Sequence, residues 1–197
     1  MSTLILRMSE TSLAGLHGIL EMGVEIQTTA GVTLRELLCD RLGFDRNYID
    51  KRVQTIFHNF KAVDRIDQVR IEDGDVVALS AAMPGLAGAT LRKAGVLAAF
   101  RKDISHSDTA EHSGSHQKAS VTLKLFNLVA QELGAHLLRQ GVWVRPDRLL
   151  ESLGRFDPAT FSGPQAIVYN GSPATLETLP QLCRSGETIF LSIEHPV

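Results

Sequence analysis

The sequence predicts an α+β protein made of two similar small domains, and three observations carry that prediction. The first is a polar stretch at residues 102–120, where only Ile104, Ala110 and Ala119 interrupt Asp103, Ser105, His106, Asp108, Glu111, His112, Ser113, Gly114, His116 and Lys118. Such a segment buries too little apolar surface to offset the entropy of ordering it, so it reads as a flexible linker. The second is internal similarity at a shift of 112 residues. Leu37-Leu38 falls on Leu149-Leu150, Ile56-Phe57 on Val168-Tyr169, Ala62 on Ala174, Gly74 on Gly186, and Leu79-Ser80 on Leu191-Ser192. The third is that both halves run through one order of local signals, β-β-α-β-β.

In the first half, Leu4-Ile5-Leu6 and Val24-Glu25-Ile26-Gln27 read as strands. Thr33 with Glu36 forms a capping box ahead of Leu34, Leu37, Leu38 and Leu42, and Gly43 ends that helix. A strand at 53–57, a turn at His58-Asn59, a polar stretch to Arg70, and the turn Asp73-Gly74-Asp75 lead to the strand Val76-Val77-Ala78-Leu79. In the second half, 121–126 is a strand and 128–133 a short helical turn closed by Gly134. Val142-Trp143-Val144 follows, then a helix at 148–153 capped by Asp147 and ended by Gly154. A strand at 166–169, the turn Asn170-Gly171, a turn at Ser185-Gly186-Glu187 and a strand at 188–193 complete it. The expected cores are Leu37, Leu38, Ile56, Val77 and Leu79 in one domain, and Leu123, Leu125, Leu150, Val168, Ile189 and Leu191 in the other.

Composition narrows the function classes. The 197 residues are 44% hydrophobic, with 20 basic and 22 acidic side chains and a net charge of −2, which argues against a bare nucleic-acid backbone as partner. No apolar run approaches the ~20 residues of a membrane span, and the start, Met1 to Arg7, lacks the pattern of a secretory signal. Two cysteines, Cys39 and Cys183, make no disulfide framework, so the expected setting is a reducing cytoplasm.

The order of elements and its turns resemble the ubiquitin-like β-grasp fold. Within it they resemble the small sulfur carriers, meaning the small subunit of molybdopterin synthase and the thiamine-pathway carrier. Residues 121–134, Val-Thr-Leu-Lys-Leu-Phe-Asn-Leu-Val-Ala-Gln-Glu-Leu-Gly, are similar to that group's opening strand, short helix and glycine. Asn170-Gly171 resembles its hairpin, and Ser185-Gly186-Glu187-Thr188-Ile189 its turn into the last strand. The first half keeps Asp73-Gly74-Asp75-Val76-Val77 but has His58-Asn59-Phe60 at the hairpin and an insertion at residues 10–23. The resemblance implies two β-grasp domains, each a mixed sheet with one main helix, at 1–84 and 121–197; residues 85–120 read from their own composition as a connecting helix and polar linker.

Family carriers act through a free Gly-Gly carboxylate that is adenylated and converted to a thiocarboxylate. This chain ends Ile193-Glu194-His195-Pro196-Val197, and its glycine-bearing segment, Met83-Pro84-Gly85-Leu86-Ala87-Gly88, is internal. The expected function is therefore a non-catalytic adaptor with a protein partner, of the kind an adenylating or cofactor-biosynthesis enzyme represents. The alternative is a sulfur carrier activated by cleavage near Gly85 to Gly88, and a weaker one is a small-molecule or nucleotide-binding protein. Candidate binding residues are Pro84, Gly85, Leu86, Gly88, Arg92 and Lys93, a glycine-rich segment whose N–H groups and two cations suit an anion, although it lacks a phosphate-loop ending.

No catalytic constellation, metal site or cofactor is expected. His106, His112 and His116 read as linker; Cys39 and Cys183 have no neighbouring Cys-x-x-Cys partner, and Cys183, which aligns with Ile71, reads as a buried small apolar residue. Asp73 and Asp75 read as turn formers, and Trp143 as a core or domain contact.

Overall fold

A computed structural model describes residues 1–81, 117–161, 163, 166–183 and 187–195. The described strands are β1 (Ser2–Arg7), β2 (Val24–Thr29), β3 (Thr55–His58), β4 (Lys61–Ala62), β5 (Val76–Ser80), β6 (Lys118–Phe126), β7 (Val142–Val144), β8 (Ile167–Tyr169), β9 (Ser172–Pro173) and β10 (Ile189–Glu194). With the helices between them, they give an α+β protein with mixed sheet.

The chain divides into two compact units, but not at the linker. One unit is contiguous, Ile26–Val129; the other is split, combining Met1–Glu25 with Ala130–Val197. The expected succession of domains at 1–84 and 121–197 is thus replaced by an inserted unit and a split one. Strand pairing is the reason. β1 runs parallel to β10 over six residue pairs, Ser2 with Ile189 through Arg7 with Glu194, and antiparallel to β8. β6 runs parallel to β5, Val76 with Thr122 through Ser80 with Phe126. Each half's opening strand therefore completes the other half's sheet. Period-two apolar patterning marks which residues are strands and which face they bury, but carries no label for the partner strand.

In the inserted unit the strand order is β4-β3-β5-β6-β2, with β3 antiparallel to both β4 and β5. Its core gathers Leu34, Leu37, Leu38, Ile49, Val53, Ile56, Ile71, Val77 and Leu79 with Val121, Leu123 and Leu125, all fully buried. Leu123 and Leu125 thus belong with the first expected core. The predicted capping box is present: Thr33 N donates to Glu36 Oε2 at 2.6 Å, and Glu36 N donates to Thr33 Oγ1 at 3.1 Å. The helix widens into a π-helical stretch, Glu36–Arg41, and Gly43 takes a φ of 66° beyond it. A further helix, Arg46–Lys51, lies between Gly43 and β3, where the sequence reading placed no element; Asp45 caps it, accepting from Tyr48 N at 2.8 Å.

In the split unit the strand order is β7-β10-β1-β8-β9. Residues 10–23, read as an insertion, supply the helices Glu10–Leu13 and His17–Met22 and the 3-10 turn Ala14–Leu16 between them, which bury Leu13, Leu16, Ile19 and Leu20. The short helical turn expected at 128–133 is a helix of thirteen residues, Leu128–Gln140. Gly134 does not stop it: a Cβ at that position would stand 2.6 Å from Leu20 Cδ1, so the glycine sets how closely two helices pack. The next helix, Pro146–Leu153, is entered from Arg145 and not capped by Asp147, whose carboxylate pairs with Arg145 at 2.9 Å. Two expected core residues, Leu150 and Val168, are only half-buried; their neighbours Leu149, Ile167 and Tyr169 face the core instead. A one-residue error of that kind exchanges strand faces completely.

Candidate functional site

Alternation along the strands of the split unit leaves one set of side chains opposite its core. The register aligns Trp143 with Phe190 and Phe190 with Thr3 across β7, β10 and β1. The next row joins Ser192, Ile5, Val168 and Pro173. Trp143, Phe190, Ile5 and Val168 are all half-buried, and Pro173 is exposed. The Trp143 and Phe190 rings form a tilted pair, 5.2 Å between centroids at 59°. Gly141 makes that geometry possible. It has a φ of +91°, and a Cβ there would collide with the Phe190 ring, so the ring lies over bare backbone beside Trp143. An ion pair, Arg7 to Glu194 at 2.9 Å, borders the face at the strand ends. Trp143, expected as a core residue or a domain contact, is half-buried and stands beside Phe190 opposite the core of its unit. It is part of an outward apolar face.

A second feature lies in the inserted unit, where β3, the β3–β4 turn and the loop before β5 meet. His58 Nε2 stands 2.7 Å from Asp75 Oδ2, with both side chains buried. Asn59 Nδ2 donates to Asp75 Oδ1 at 2.7 Å, and Glu72 N donates to Asp75 Oδ2 at 2.7 Å. Burial alone would raise the carboxyl of Asp75; the hydrogen bonds from His58, Glu72 N and Asn59 outweigh it and hold the group below the usual carboxylate range. Asp75 was expected as a turn former, and its larger role is to tie three segments together.

A cleft of about 410 Å³ in the same unit is lined by Arg35, Asp50, Asp64, Arg65, Ile66, Asp67 and Gln68. Arg35 grips Asp67 with two bonds of 2.5 and 3.1 Å and reaches Asp50 at 3.1 Å. The hydrogen bonds to Asp67 foremost, then to Asp50, raise the Arg35 guanidinium above its ordinary value against the opposing effect of burial. Its fork is committed to carboxylates, so it is poorly placed to take an anion.

Cys39 and Cys183 are buried, and burial raises both thiols, which suits packing and not nucleophilic attack. The sequence-predicted binding residues Pro84, Gly85, Leu86, Gly88, Arg92 and Lys93 lie outside the described residues, as do His106, His112 and His116. The sheet face went unrecognised in the sequence, where Val142-Trp143-Val144 and Ile189-Phe190-Leu191 are unbroken apolar runs that do not show which side chain leaves the core. Comparison with family models, curated proteins and solved structures found no match. No helix among the described residues is long and apolar enough to cross a membrane.

Proposed function

We propose that this chain is a non-catalytic adaptor of two β-grasp-like units that binds a protein partner. The observation that carries the reading is the outward face of the split unit, where Trp143, Phe190, Ile5 and Val168 stand together beside the Arg7–Glu194 pair. Aromatic and aliphatic side chains grouped on a rigid sheet and bordered by charge have the composition of a protein-binding patch. The central parallel strand pair of each unit, with antiparallel neighbours on both sides in the split unit and beside β5 in the inserted one, supports the β-grasp reading, and so do the turns at Asn59 and Asn170.

Ile5→Asp places a charge in the middle of this face without touching the buried positions on either side. Co-purification from native extract is expected to lose the same partner band with Ile5→Asp and with Val168→Asp, while far-ultraviolet circular dichroism stays unchanged. Full retention of the partner by both folded variants would remove the sheet face from the proposal. The carrier alternative has its own readout. Carrier activity needs a free glycine carboxylate, so the intact mass from the native cell separates full-length adaptor from a fragment ending in glycine.

A further inference from the structure

Both units contain the same two-residue hairpin turn, filled differently. Between β8 and β9 it is Asn170-Gly171, with φ of 48° and 80°. Between β3 and β4 it is Asn59-Phe60, with φ of 48° and 65°. Asn-Gly is the pair this turn favours, because both central residues need positive φ and glycine adopts it without strain. A phenylalanine there is a conformational outlier. It gains nothing from packing either, since Phe60 is 82% exposed.

The strain persists because the surrounding bonds over-determine the turn. Asn59 N donates to Val76 O at 2.8 Å, Val76 N donates to Asn59 Oδ1 at 2.9 Å, and Asn59 Nδ2 holds Asp75, which is itself anchored by His58. A bulky ring is therefore projected into water from a fixed backbone, at a position where folding favours glycine. Inference runs here from an observed outlier to a function.

We propose that Phe60 is an aromatic anchor that inserts into an apolar socket on a protein partner. A rigid, pre-exposed aromatic loses little freedom on insertion, the property of residues that dominate binding energy. Charge selects the partner's class. Lys61 follows the anchor in sequence, and the loop tied to the turn through Asp75 carries the exposed acids Glu72 and Asp73, the latter also accepting from Ser120 N, so these three side chains are one basic and two acidic. That balance fits a socket with a basic rim on a protein and disfavours nucleic-acid phosphates or an anionic membrane.

The full-length Phe60→Gly variant tests the strain and the anchor together. Its thermal midpoint is expected to rise by about 4 °C, because glycine relieves the turn and no packing is lost. A fall in the midpoint would make Phe60 a structural residue and overturn the proposal. For binding, a photoreactive benzoylphenylalanine at position 60 is expected to crosslink one discrete protein in native extract. Excess wild-type chain should abolish that product, and excess Phe60→Gly chain should compete at least tenfold less well. Equal competition by the two chains would overturn the anchor. So would retention of the wild-type chain, but not Phe60→Gly, on phosphatidylcholine–phosphatidylglycerol vesicles or on single-stranded DNA, since the socket would then not be protein.

Discussion

His58 and Asp75 sit seventeen residues apart in sequence and 2.7 Å apart in the inserted unit, both within its interior. The carboxylate of Asp75 also accepts from Asn59 and from the backbone N–H of Glu72, so losing its charge loosens three segments at once. Its folded value lies below its unfolded one. The stabilisation is therefore complete above the unfolded carboxylate range and disappears as the pH falls through the folded value. Denaturant unfolding of the wild type is expected to weaken below about pH 4, while Asp75→Ala loses about 3 kcal/mol at neutral pH and flattens that acid limb. An unchanged acid limb in Asp75→Ala would show that the carboxylate is not the group responsible.

Gly141→Ala tests the support of the aromatic face. The substitution meets a positive φ and the Phe190 ring together, so backbone strain and ring displacement add. A loss of about 2 kcal/mol is expected. Trp143 is the only tryptophan, so its fluorescence reports on its neighbour directly. A change in emission is expected in the folded variant, and an unaltered spectrum would place Phe190 away from Trp143.

The capping box offers a local control. Thr33→Ala removes the hydroxyl that accepts from Glu36 N and donates to Glu36 Oε2 at 2.9 Å. About 1 kcal/mol of stability is expected to go with it. The hydrogen bonds from Thr33 N and its hydroxyl also keep the Glu36 carboxyl below its ordinary value, so its titration should move back up in the variant. Carbon-13 shifts of the Glu36 carboxyl against pH would check this.

Local chemistry was legible in the sequence wherever a side chain acts on its own neighbourhood. Thr33 and Glu36 cap, Gly43 and Gly74 take positive φ, and Asn170-Gly171 turns, because each depends on residues within a few positions. Pairing was not legible. Leu4 and Leu6 alternate as a strand should, yet nothing within the first eighty residues says that their neighbours are Leu191, Ile193, Tyr169 and Ile167. Turn chemistry at His58-Asn59 was visible as well, but the geometric strain at Phe60 was not, since it exists only once the hairpin register is known. The outward face was hidden for a related reason. Trp143 read as apolar, and only its cross-strand alignment with Phe190 shows the direction it faces.

The insertion architecture makes the strongest demand on the chain. If β6 belongs to the inserted unit, residues 1–84 lack a central strand, and a polypeptide of residues 24–129 contains it. β6 buries Val121, Leu123 and Leu125 completely. At roughly 2 kcal/mol for each buried aliphatic side chain, that is about 6 kcal/mol, comparable to the whole stability of a small domain. Fragment 1–84 also carries β1 without β10 or β8, which leaves Leu4 and Leu6 in water beside an unpaired strand edge. Fragment 24–129 is therefore expected to unfold cooperatively in urea with slow amide exchange in β3, β5 and β6. Fragment 1–84 is expected to be collapsed or aggregated, with fast exchange throughout β1. Cooperative unfolding of 1–84 with protected amides at Leu4 and Leu6 would mean that β1 pairs within its own half, and the two-unit division would have to be redrawn at the linker.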